Sequence, residues 1–194
     1  LDLTRLGLLN DIAIVVVTGD FTTRGDWSAN TKGQALAEFD ELRRLLGLEK
    51  WQIIAIPGNH DIVRYKPDGK VDAAEIALGH QVTYEHEVPY REFLEELTGR
   101  DKSAPLDFID RFSLPDVDVI ICGLNSCRIV ATQWTEYGYV GDKGTDVVRL
   151  LGSQEITRPT TKMLALHHHL LPVINVEAPQ SAGVSLCLDA CAVL

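Results

Sequence analysis

Two short strings in this chain end an apolar run on a glycine and then present side chains able to hold a divalent ion. They are Val15-Val16-Val17-Thr18-Gly19-Asp20 and Ile54-Ala55-Ile56-Pro57-Gly58-Asn59-His60-Asp61. A strand that stops at glycine can turn sharply, and the side chain that follows then sits at the carboxyl edge of a sheet. A third run, residues 162–166, leads into His167-His168-His169. Carboxylate, amide oxygen and imidazole together suit manganese, iron or zinc better than calcium or magnesium alone, and one carboxylate can bridge two ions. Each piece has a plainer account. Gly19-Asp20 alone is a turn whose Asp caps a following helix, Asn59 and Asp61 are turn residues, and His60 is a surface imidazole. A polar run leaving a strand accounts for the three histidines. A Pro-Gly-Asn-His-Asp string at a strand end is hard to reach through turn chemistry, and its company gives Gly19-Asp20 a weight it lacks alone.

The elements that must position these residues are legible as periodicities. Residues 12–18 read as a buried strand, and residues 33–46 as a helix with Leu36, Phe39, Leu42 and Leu46 on one face. Residues 52–56 form the next strand. From 61 to 114 the pattern loosens into an elaborated connection, with a polar loop around Pro67-Asp68-Gly69 and a helix over 90–97 that ends at Gly99. Strand character returns at 117–122 and 163–166, with a turn-rich insert over 132–144 between them, and the segment from Gly183 on reads weakly as helix. Strands separated by helices give an α/β layered fold with ligands at the carboxyl ends of the strands. No internal repeat, low-complexity tract or domain boundary interrupts the pattern.

With 194 residues the chain is one domain of ordinary size, long enough to bury a core. A formal charge of −10 and a pI near 5.0 weigh against nucleic acid, whose binding rests on Lys and Arg neutralising phosphates. The longest apolar stretch, residues 12–17, is too short to cross a bilayer, so no membrane partner is expected. Cys122, Cys127, Cys187 and Cys191 lack the close pairing of a zinc site and read as buried, reduced side chains of a cytoplasmic protein.

On Gly19-Asp20, Gly58-Asn59-His60-Asp61 and a strand-terminal histidine, in that order, the chain resembles the calcineurin-like metallophosphoesterases. Their blocks run Asp-x-His, Gly-Asp, Gly-Asn-His-Asp or Gly-Asn-His-Glu, a strand-terminal His, and Gly-His-x-His. The layout matches from about residue 12 to the last. Thr18-Gly19-Asp20-Phe21-Thr22 and the His-rich fourth block are most similar to the cyclic-nucleotide phosphodiesterase-like branch. The resemblance implies a four-layer α-β-β-α sandwich of two mixed sheets with flanking helices. It implies that Asp20 bridges two metals, that Asn59 binds the second, and that His167, or His168 in its place, is the fourth-block ligand. His60 would sit near the leaving-group oxygen, with Asp61 orienting it. The complete protein would carry two divalent metal ions (manganese, iron or zinc). It would hydrolyse a small phosphodiester or phosphomonoester, a nucleotide among the candidates, by in-line attack of a metal-bridging hydroxide. The alternative is a scaffold that kept the fold and lost catalysis; a nuclease is disfavoured by the acidic balance and the lack of a basic stripe.

Departures from the family pattern are also plain. No Asp-x-His precedes Asp20, no Gly-His-x-His follows His169, and Gly79-His80-Gln81-Val82 fails at its last position and lies out of order. Residues 1–194 therefore read as a single metallophosphoesterase domain, incomplete at both termini, lacking its first strand and its last block. Family geometry then leaves the first ion only Asp20, while the second keeps Asp20, Asn59 and His167. The expectation is one weak metal site and little turnover from this chain alone. Arg24, Arg128 and Trp134 could contact a phosphate or a base, though solvated loop positions explain them as well.

Overall fold

The computed structural model describes residues 11–23, 25–63, 80–130, 138–170 and 193. Its elements in chain order are β1 (Val15–Val17), α1 (Ala29–Leu46), β2 (Ile53–Ala55), β3 (His80–Gln81), α2 (Tyr84–Thr98), β4 (Phe108–Ser113), β5 (Asp118–Gly123), β6 (Ile129–Val130), α3 (Gly141–Ser153) and β7 (Thr160–Ala165). A short 3-10 turn, Lys50–Gln52, feeds β2. The class is α/β, as the alternation of strand and helix patterns implies.

β1 and β2 are parallel neighbours, with Val15 opposite Ile53 and Val17 opposite Ala55. β5 is the middle of a mixed three-stranded sheet, antiparallel to β4 and parallel to β7. β3 and β6 make a separate antiparallel pair. Side chains alternate across a strand, so each sheet offers two faces to pack. From β2, Ile53 and Ala55 join Tyr90, Phe93, Leu94 and Leu97 of α2, and Leu36 and Phe39 of α1 close the same cluster. Its other face, Ile54 and Ile56 with Val16 of β1, packs on Phe108, Phe112, Ile121 and Ala165 of the three-stranded sheet. On the far side of that sheet, Ile109, Cys122 and Leu164 meet Val147, Val148 and Leu151 of α3. The two sheets thus share a core while helices cover their opposite faces. Tyr90 and Phe93 are wholly buried, and Phe93 contributes about 1.5–3 kcal/mol through apolar area removed from water.

Several boundaries differ from the sequence expectation for identifiable reasons. α1 begins at Ala29 rather than Gly33, because the Ser28 side chain accepts from the Thr31 amide at 3.4 Å and starts the helix a turn earlier. α2 begins at Tyr84, six residues before the expected start, and carries Pro89 inside it. Thr83 and His86 bond each other at its start, and Glu87 pairs with Arg91 one turn on at 2.7 Å. The stretch 61–114, read as loose, contains β4. α3 begins at Gly141, so the insert expected over 132–144 gives way to helix before its end. β1 is shorter than the run 12–18, while β7 extends back to Thr160. The loop at Pro67-Asp68-Gly69, Trp134, Arg24, Cys187 and Cys191 lie outside the described residues, as does the segment from Gly183 except Val193. Cys122 and Cys127 are buried and reduced, as expected. No described helix is long and apolar enough to cross a membrane.

Candidate metal centre

Because β1 and β2 run parallel side by side, their carboxyl ends release Thr18-Gly19-Asp20 and Pro57-Gly58-Asn59-His60-Asp61 at one edge. The two loops touch backbone to backbone. A Cβ added to Gly19 would stand 2.1 Å from the Gly58 nitrogen, and one on Gly58 would stand 2.3 Å from Asp20 Oδ1. Only glycine fits on either side of that contact. Gly19 has φ 93° and Asp20 φ 63°. The left-handed region costs an ordinary L-residue about 1–2 kcal/mol, less for Asp, and a residue held there points to an imposed function.

What holds Asp20 there is Asp61. Its wholly buried carboxylate accepts from the Asp20 amide at 2.7 Å, the Gly58 amide at 2.8 Å and the Thr22 amide at 3.1 Å. One side chain thus ties both loops together. Burial pushes the Asp61 carboxyl up to about 6, while the three N–H donors pull the other way. The resemblance gave Asp61 the task of orienting His60; in the structure its carboxylate meets these three backbone donors. His60 in turn donates its amide to Asp20 Oδ1 at 3.1 Å.

His167 arrives from the other sheet, two residues past the end of β7. Its Nδ1 lies 2.7 Å from the Thr18 carbonyl oxygen, which can only accept, so Nδ1 carries the proton and fixes the ring. Nε2 lies 3.0 Å from Asn59 Oδ1 and 3.6 Å from Asp20 Oδ1, and in the singly protonated ring it would present its lone pair to them. Asp20 Oδ1, Asn59 Oδ1 and His167 Nε2 thus converge from three strand ends, and with the ring neutral all three are acceptors. Borderline divalent cations suit that donor set, so the residues fit the metal implied by the resemblance. Among the described residues there is no group of three or more His, Cys, Asp and Glu able to hold a metal; this set has two such side chains and an amide.

His168 points elsewhere. It is 2 % exposed, and its Nδ1 lies 2.8 Å from Ser126 Oγ, in the loop after β5. Burial, then the neighbouring His167 imidazole, lowers its pKa to about 4, and Nε2 is a buried atom with no partner. The structure therefore brings Asp20, Asn59 and His167 together and puts His168 in a supporting position. Arg128 is not a solvated loop residue: it pairs with the buried carboxylate of Asp107.

Sequence reasoning did not find the Thr18 carbonyl that orients His167, nor Thr22 and Trp27. Thr22 donates its hydroxyl to the His60 carbonyl at 2.8 Å, and Trp27 donates Nε1 to the Asp61 carbonyl at 2.7 Å. Main-chain acceptors leave no trace in residue type, and Thr22 lies in an ordinary Thr-Thr pair.

No curated protein matches the chain. A family model for calcineurin-like phosphoesterases matches residues 2–178, which takes in both glycine loops and the histidines after β7. The chain belongs to the calcineurin-like phosphoesterase family.

Proposed function

We propose that this chain holds a divalent ion on Asp20, Asn59 and His167 and hydrolyses phosphate esters, with small phosphodiesters, nucleotides among them, as the preferred class. The observation that carries this is the convergence of Asp20 Oδ1, Asn59 Oδ1 and His167 Nε2 at 3.0 and 3.6 Å, with Nδ1 of the imidazole bound to the Thr18 carbonyl so that Nε2 faces the other two. A bound ion would bring positive charge to the phosphoryl oxygens and lower the pKa of water for in-line attack; manganese, iron and zinc all suit the ligands. In a dinuclear form of this reading, Asp20 would also be a ligand to a second ion. His60, on the loop that carries Asn59, donates a proton to the departing oxygen. Asp61 keeps both loops at the spacing the ligands need. The reduced thiols of Cys122 and Cys127 fit a cytoplasmic setting.

Metal-stripped protein should release p-nitrophenol from bis(p-nitrophenyl) phosphate or p-nitrophenyl phosphate only after manganese is added. His60→Gln should lower turnover of a phenyl ester, whose leaving group needs a proton, and leave manganese content unchanged. Manganese bound at wild-type level with no turnover of either ester would favour a scaffold that kept the site without catalysis. Equal loss of metal and turnover in His60→Gln would make His60 a ligand.

A further inference from the structure

We infer that Thr22 and Trp27 are positioning residues for His60, locking its peptide against the loop that follows Asp20. Two successive carbonyls of the metal-site loop are held from the same direction. The His60 carbonyl accepts from Thr22 Oγ1 at 2.8 Å and from the Gly25 amide at 2.6 Å, and the Asp61 carbonyl accepts from Trp27 Nε1 at 2.7 Å. On the amino side, the His60 amide donates to Asp20 Oδ1. Both peptide units flanking the His60 α-carbon are therefore fixed, and the imidazole moves only about its own side-chain bonds.

Neither donor is free to drift. Thr22 is 7 % exposed, and its amide is tied to Asp61 Oδ1. The Trp27 ring lies 4.9 Å from Phe93 and 6.1 Å from Tyr90, centroid to centroid, so the indole N–H is carried on the aromatic core between α1 and α2. Loop carbonyls at a strand end can be satisfied by water; here two side chains from another loop take that place. A proton donor must stay within a few tenths of an ångström of the oxygen it serves, and a rigid anchor to the core supplies that precision.

The inference rests on His60 acting as the proton donor, and two variants, each lacking one hydrogen-bond donor, separate it from that assignment. Trp27→Phe keeps a ring in the aromatic cluster but removes the N–H together with part of the indole, so the β5 amides report any loss of packing; Thr22→Val keeps the volume and removes only the hydroxyl. In the metal-free chain, amide hydrogen exchange at Gly58, His60 and Asp61 should quicken about fivefold or more in each variant, the scale of one lost hydrogen bond, while β5 amides keep their rates. In the manganese-loaded chain, kcat should fall for a phenyl ester, whose leaving group needs a proton, and hold for a p-nitrophenyl ester, whose leaving group does not. His60→Gln should show the same selectivity. If His60→Gln is selective and neither variant is, the inference is overturned. If His60→Gln is not selective, its role as acid fails, and the exchange rates alone decide whether Thr22 and Trp27 lock the loop. Unchanged loop exchange, or equal acceleration in β5, would overturn the locking itself.

Discussion

Gly58→Ala puts the contact between the two loops under direct test. A Cβ at Gly58 would lie 2.3 Å from Asp20 Oδ1, 2.4 Å from the Asp20 amide nitrogen and 3.0 Å from its Cγ, where ordinary contact begins near 3.4 Å. The loops must part by roughly 1 Å, because the obstructing nitrogen is backbone and cannot rotate aside. Overpacking of this size costs about 1–3 kcal/mol of stability. The same movement pulls Asp20 away from Asn59 and His167, and metal–ligand distances tolerate only about 0.2 Å. A manganese dissociation constant raised at least tenfold, about 1.4 kcal/mol, should follow. Calorimetric titration with manganese and thermal melting of metal-free protein measure the two effects. Gly33→Ala is the control: nothing lies within 4 Å of its added Cβ, and in the interior of α1 it should gain about 0.5–1 kcal/mol. Wild-type manganese affinity and an unchanged melt in Gly58→Ala would refute the close-contact account of the site.

The two adjacent histidines should separate by readout: His167→Ala should cost manganese affinity at least tenfold with little change in the metal-free melt, whereas His168→Ala, which empties a buried position beside Ser126, should lower the melt. Asp61→Asn gives the three amides at its carboxylate a group with one acceptor oxygen, so at least one buried N–H faces a donor. The cost is about 1–3 kcal/mol, offset in part by relief of the buried charge and read by denaturant titration. Asp20→Asn keeps an oxygen for the His60 amide and removes a negative charge beside Asp61, so metal-free stability should hold or rise while manganese binding is lost, as calorimetry and melting together would show. Glu87→Ala leaves the Arg91 guanidinium, 10 % exposed, with the Lys102 and Ala104 carbonyls but no carboxylate, removes an acceptor from Asn125 Nδ2, and should cost about 3 kcal/mol in chemical unfolding.

What the sequence made legible was the part of the site built from residue type and order. Asp20, Asn59 and His167 each follow an apolar run, and strand ends of an α/β fold gather at one edge, so linear order was enough to bring them together. β4 was hidden for a physical reason. Asp110 sits on the same face as Phe108 and Phe112, toward the shared core, so the apolar alternation breaks in the middle. The structure tolerates it because Arg100, just past α2, pairs with that carboxylate and lies 4.0 Å from the centre of the Phe108 ring. Burial still raises the Asp110 pKa. The start of α2 was hidden because Pro89 ordinarily ends a helix. Here the bonded Thr83 and His86 start it earlier, and the buried Glu87–Arg91 pair spans the turn that contains the proline.

Stability and chemistry at this edge are carried by different atoms of neighbouring residues. In the proposed reading the ligand atoms would be Asp20 Oδ1, Asn59 Oδ1 and His167 Nε2, which with the ring neutral face one another as acceptors and gain a shared partner when a cation enters. Something else must hold them in place meanwhile, and those contacts run through groups no metal would use: the Asp20 and Gly58 amides to Asp61, the His167 Nδ1 proton to Thr18, the His60 and Asp61 carbonyls to Thr22 and Trp27. The left-handed Asp20 belongs to the same scheme, since its φ of 63° lets its amide reach Asp61 while its carboxylate turns toward Asn59 and His167. Ligand substitutions should therefore spare the fold and abolish binding, and scaffold substitutions should cost both. A site assembled on the metal itself would show the opposite pattern, with ligand variants unfolding in step with metal loss.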